Sequence, residues 1–174
     1  MIGIFLTLID SEEEKSKFTV LYEQYRKLML YVANEILHDT HLAENAVQEA
    51  FFRIAKNFSK IGEILCPQTK AFVVIITRNV ALTMISKESK ERSIIEKASL
   101  LSDITTDATF EDVAYNELID AILELPEKYR DVLYLHHVYG YSYNEISNLL
   151  GISPDATKKR AQRAISKLIE LLES

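Results

Sequence analysis

The sequence predicts an all-α protein: two small helical domains joined by an acidic linker, the C-terminal one containing a helix-turn-helix. Three observations carry that prediction. Apolar residues recur at three- and four-residue spacing along most of the chain, and only four Gly and three Pro interrupt them. The one consecutive apolar run with strand character, residues 72–76, has no second such run to pair with. Residues 141–164 read as two capped helices meeting at a short turn that contains Gly.

The elements follow in order. Phe18, Leu21, Tyr22, Tyr25, Leu28, Met29, Val32, Ile36 and Leu37 form one stripe, which predicts a helix from Glu12 to Leu37, ended by His38 and Asp39. Asp39 or Thr40 caps a second helix reaching Phe58, with Ala43, Ala46, Val47, Ala50, Phe51 and Ile54 on its inner side. Residues 59–68, with Gly62 and Pro67, read as a loop. Residues 69–87 read as a largely buried helix with a polar, basic end: Arg78, Asn79, Thr83, Ser86, Lys87, Lys90 and Arg92. Residues 98–127 contain no Lys or Arg, and residues 102–109 have poor helix propensity, so the domain boundary falls here. The expected division is residues 1–97, an acidic linker at 98–110, and residues 111–174. Helix resumes near Glu111, breaks at Leu125-Pro126, and resumes to Val138, where Gly140 stops it.

The last pair is the most informative. Ser142 with Glu145 three residues on makes a capping box, and Ile146, Leu149 and Leu150 repeat at helical spacing. Gly151 is a stop signal, Ser153 caps the next helix, and Pro154 stands at its first position. That helix buries Ala161, Ala164, Ile165, Leu168 and Leu172 and leaves Lys158, Lys159, Gln162, Arg163 and Ser166 outward, with Arg160 between the two sets. Arg suits guanine, Gln suits adenine, and Lys suits phosphate, so this face fits a major groove.

Composition bounds the rest. A hydrophobic fraction of 48% supports a packed core. A formal net charge of -6 is unusual for a protein that grips DNA alone, so the basic surface is local or something else supplies affinity. The single Cys66 excludes an internal disulfide and fits a reducing, cytoplasmic setting. The start of the chain lacks the basic segment and cleavage site of a signal peptide, and no run is read as a membrane span. His38 with His41, and His136 with His137, lack the Cys or carboxylate that would complete a metal set; they read as surface or capping histidines.

Two separated stretches resemble one family. Residues 125–133 (Leu-Pro-Glu-Lys-Tyr-Arg-Asp-Val-Leu), 140–146 (Gly-Tyr-Ser-Tyr-Asn-Glu-Ile) and 150–153 (Leu-Gly-Ile-Ser) resemble the C-terminal domain of bacterial RNA polymerase sigma factors, best the extracytoplasmic-function group. Residues 21–25, 43–51 and 71–81 resemble that group's N-terminal helices, the last its promoter-melting helix. The chain departs from the pattern in having no Trp, with Phe72 the one aromatic of the melting helix, and in Asp155-Ala156-Thr157, Ala161 and Ser147 near the recognition helix.

The resemblance implies a division of labour. Glu44, Asn45, Gln48, Glu49 and Arg53 fall where the family docks core RNA polymerase. Residues 59–70, including Lys70, fall where it captures a flipped base of the −10 element, and Arg78, Asn79, Thr83, Ser86 and Lys87 where it holds the opened strand. Lys158, Lys159, Gln162 and Arg163 fall where it reads the −35 element. Core polymerase, promoter DNA and an anti-sigma factor are the implied partners, with no cofactor, no metal and no membrane insertion. A sigma factor borrows its grip on DNA from polymerase, which reconciles the acidic net charge. The alternative is a stand-alone helix-turn-helix regulator, which leaves the N-terminal half unexplained. An enzyme lacks any phosphate loop or paired nucleophile in this sequence. A protein-interaction module that has lost DNA reading is the third rival.

Overall fold

Ser11 starts the longest helix and His38 ends it. The structure is a computed structural model that describes residues 2–89 and 117–174. Helix α1 (Ile2–Leu6) precedes α2 (Glu12–Leu37). The Ser11 hydroxyl accepts from Glu14 N, and Glu12, Glu13 and Glu14 lie against the positive end of the helix dipole. His38 closes α2 in the left-handed region, with φ 52°, and Asp39 caps α3 (Thr40–Lys56) by accepting from Leu42 N at 2.9 Å. A 3-10 turn (Phe58–Lys60) leads into a loop, and α4 (Pro67–Ser89) follows. Helices α2, α3 and α4 pack on one another around Phe18, Leu21, Met29, Phe51, Ile54, Ile75 and Ile76.

The expected helix over 69–87 exists, two residues longer at each end, and its apolar run has a physical reason. Residues 71–78 are all buried. One side of α4 faces α2 and α3, and the other faces the C-terminal domain, where Phe72 lies 5.0 Å from the Tyr139 ring and 6.0 Å from Tyr141. A helix covered on two sides loses the polar face that would reveal its period. Residues 67–87 are long and apolar enough to cross a membrane, which corrects the sequence expectation that no run approaches a span; 61% of that window is buried inside the fold.

Helix α5 (Glu117–Leu123) opens the described part of the C-terminal domain. Helix α6 (Glu127–Tyr139) ends at Gly140, which is left-handed. Helices α7 (Tyr143–Leu150) and α8 (Pro154–Glu173) complete it. Ile122, Val132, Leu133, Leu135, Ile146, Leu149, Leu150, Ala161, Ala164 and Leu168 form its core. Among the described residues every regular element is helical. The resumption near Glu111, the acidic linker, Lys90 and Arg92 lie outside the described residues. Two boundaries differ from expectation: α3 stops at Lys56, with the 3-10 turn taking Phe58, and α1 was not anticipated as a helix. Five residues are too few for a stable isolated helix; α1 is held by Phe5, whose ring lies 6.0 Å from Phe18 and 5.9 Å from Phe51.

Candidate nucleic-acid interface

The helix-turn-helix is built by local chemistry. Ser142 N donates to Glu145 Oε2 at 2.8 Å while Glu145 N donates to Ser142 Oγ at 3.2 Å, a complete capping box. The Ser142 backbone N–H, followed by the Ser142 hydroxyl and Lys60, holds the Glu145 carboxyl below its ordinary range. Gly151 turns the chain at φ 68°, and Ser153 Oγ accepts from Ala156 N at 3.1 Å to start α8. The departures from the family pattern fit this frame. Thr157 is fully buried and donates its hydroxyl to Ser153 O at 3.0 Å, so a β-branched side chain occupies the site without an orphan polar atom. Buried Ser147 donates to Asn144 O at 2.6 Å.

The turn aims α8. Lys158, Lys159, Gln162, Arg163 and Ser166 are all exposed, while Ala161, Ala164 and Leu168 face inward; Arg160 is half-buried. Ile165 and Leu172, expected on the apolar side, are exposed as well, 41% and 54%, at the rim of the stripe. Burial raises the Tyr129 phenol, but Lys128 and Arg163 outweigh it and bring the pKa below the ordinary value. Arg163 is open to solvent.

On the other domain, Glu44, Asn45, Gln48 and Glu49 are exposed along α3. A shallow groove beside them is lined by Asn45, Gln48, Glu49 and Phe52 together with Ile4 and Phe5 of α1. These α1 residues were missed from the sequence, because nothing local ties residue 4 to residue 48. Arg53 departs from the exposed set. It pairs with Glu49 at 2.8 Å, and its Nη1 donates to Leu149 O at 3.4 Å, at the end of α7.

The expected strand-holding residues divide. Lys70, Ser86 and Lys87 are exposed, Thr83 and Asn79 are half-buried, and Arg78 is 4% exposed. Arg78, placed by the sequence in a polar, basic helix end, is instead buried. Its guanidinium is enclosed by α6, with Nη2 2.7 Å from Asp131 Oδ2 and Nε against the Glu127 carboxylate. Asn79 Nδ2 donates to the same Asp131 oxygen at 3.1 Å. Burial opposes the Arg78 charge, but Asp131 and Glu127 raise its pKa above the ordinary value. Burial and the like charge of Asp131 raise Glu127 in spite of Arg78. Phe72, the one aromatic of this helix, is wholly buried and has no face for a base.

Comparison with known proteins gives this geometry a family. Residues 21–91 match the model of sigma-70 region 2, and residues 115–168 match that of sigma-70 region 4. The chain belongs to the extracytoplasmic-function group of sigma-70 factors. The sigma factor SigZ of Bacillus subtilis is 29% identical over 154 residues, covering 88% of this chain and 85% of that protein. The ECF sigma factors SigM and SigW of the same organism are 25% and 24% identical, with 85% and 86% of this chain covered and 90% and 86% of theirs. Helices α2–α4 thus carry the region 2 match and α5–α8 the region 4 match. The protein is a sigma factor acting in transcription initiation.

Proposed function

We propose that this sigma factor binds core RNA polymerase through the α3 face of Glu44, Asn45, Gln48 and Glu49, and directs it to promoters. Helix α8 reads the −35 element with Lys158, Lys159, Gln162 and Arg163. Lys70, Asn79, Thr83, Ser86, Lys87 and, once released, Arg78 hold the opened −10 strand. The observation that carries this reading is the exposed basic and amide face of α8 on a fully capped helix-turn-helix. It supports major-groove reading because an unshielded Arg or Gln offers a bidentate fork to a base edge. An anti-sigma factor is the expected regulator. The test is run-off transcription with core polymerase on a promoter library, beside a gel shift of the free chain. Transcripts that require this chain, with weak shifting by the chain alone, support the proposal. Tight, specific shifting without polymerase supports a stand-alone regulator instead.

A further inference from the structure

Helix α1 lies outside the family match, which begins at residue 21, and it carries an apolar side chain that the fold does not use. Phe5 is its buried anchor, and Ile2 and Leu6 pack partly against the same core. The short helix is closed firmly behind them. Thr7 Oγ1 donates to Ile4 O at 2.7 Å, Leu8 N donates to Phe5 O at 3.0 Å, and Ile9 is buried. The Ile4 side chain takes no part in this seat and is 66% exposed. A single exposed isoleucine means little. This one shares a groove with Phe5 and the half-buried Phe52, and with Asn45, Gln48 and Glu49 of α3. Lys56 Nζ stands 4.3 Å from the centre of the Phe52 ring. An apolar strip from α1 and the polar face of α3 thus line one concavity.

We propose that α1 is a second contact for core RNA polymerase, in which Ile4, together with Phe5 and Phe52, takes an apolar side chain from the same polymerase element that meets Gln48 and Glu49. The inference rests on the α3 docking assignment above and extends it beyond the family match. The occupant follows from continuity. Three of the six residues lining the groove belong to the docking face, so an element seated on that face reaches the groove as well. The lining sets its chemistry. Exposed Glu44 favours a basic group, Asn45 and Gln48 favour hydrogen-bonding ones, and Ile4, Phe5 and Phe52 favour an aliphatic one. A helix with a mixed basic and apolar face supplies all three. A second copy of this chain fits worse, because a two-fold contact would set two acidic Glu44 faces together, in a chain whose formal net charge is -6. Since Phe5 fixes α1 before any partner arrives, the contact costs little ordering.

The test uses the full chain and core polymerase, with binding followed by fluorescence anisotropy. Ile4→Ser removes the apolar contact, and Ile4→Val keeps most of it. Ile4→Ser should weaken binding about tenfold and Ile4→Val no more than about twofold. Neither should move the melting temperature or the helix content, because an exposed side chain supports no packing. Contact is read directly from Ile4→p-benzoylphenylalanine, irradiated in the complex. It should join α1 to a core subunit, and the adduct should disappear when Gln48→Ala and Glu49→Lys are added. Parent-like affinity for Ile4→Ser overturns the contact, and so does a complex that forms without an adduct at position 4. An adduct that survives the two α3 substitutions also overturns it, because α1 then meets a different element. An adduct between two copies of this chain without polymerase assigns the groove to self-association and overturns the proposal. Failure of the docking assignment itself looks different: the Gln48→Ala, Glu49→Lys variant then binds core polymerase like the parent.

Discussion

Two glycines offer an internally controlled experiment on the turn of the helix-turn-helix. Gly140 and Gly151 both adopt the left-handed conformation, with φ 72° and 68°. A Cβ on Gly140 meets nothing within 4 Å, whereas a Cβ on Gly151 falls 2.6 Å from Arg53 Nη1 and 2.8 Å from Nη2. Gly140→Ala should therefore cost only the left-handed penalty, roughly 1–2 kcal/mol. Gly151→Ala bears the same penalty and also displaces Arg53 from Leu149 O. A hydrogen bond from a charged donor is worth about 1.5–3 kcal/mol, and the 3.4 Å length places this one at the lower end. The expected difference is about 1.5 kcal/mol, or about 3–6 °C in melting temperature for a chain of this size. Thermal unfolding of the two variants, each also made in an Arg53→Ala background, measures it. In that background the difference should vanish, because no guanidinium remains to displace. Equal melting temperatures for the two single variants would falsify the seat of Arg53 against this turn, as would a difference that survives Arg53→Ala.

Ser142→Ala should destabilise the C-terminal domain by about 1 kcal/mol, read from denaturant midpoints at pH 7. The Glu145 carboxyl is depressed in the folded state, so its contribution is present above the ordinary carboxylate range and lost as pH falls through the lowered value; Glu145→Gln should remove that part of the acid dependence, and an unaltered pH profile would contradict the capping account. On α3, Gln48→Ala with Glu49→Lys should weaken binding to core polymerase by tenfold or more while helix content stays intact, and parent-like affinity in a pull-down titration would remove this face from the docking surface.

The helix-turn-helix was legible in the sequence because its determinants are local. Ser142 finds Glu145 and Ser153 finds Ala156 within three residues, and Gly151 sits where a left-handed residue is needed. The long α2 was legible for the same reason: its stripe repeats through seven turns beneath an N-cap serine. What escaped was non-local. Arg78 looks like the start of a polar, basic helix end, and the carboxylate that buries it lies 53 residues away on α6. Arg53 belongs by spacing to the exposed face of α3, yet its acceptor is 96 residues on. Helix α1 has no capping signal and exists because Phe5 reaches Phe18 and Phe51. Residues 72–76 hid their period because two domains cover the same helix.

The central claim is that α8 reads the −35 element, and the sharpest measurement compares two of its side chains in holoenzyme on a promoter library. Arg163 and Lys158 are both exposed, but their chemistry predicts different failures. An arginine fork on guanine carries about 1–3 kcal/mol of discrimination, so Arg163→Ala should flatten sequence preference at one or two base pairs. A lysine on phosphate carries affinity without sequence, so Lys158→Ala should weaken all promoters alike and reduce the salt slope by roughly 0.9 per lost contact. An Arg163→Ala holoenzyme that transcribes the library with unchanged −35 preference contradicts the account.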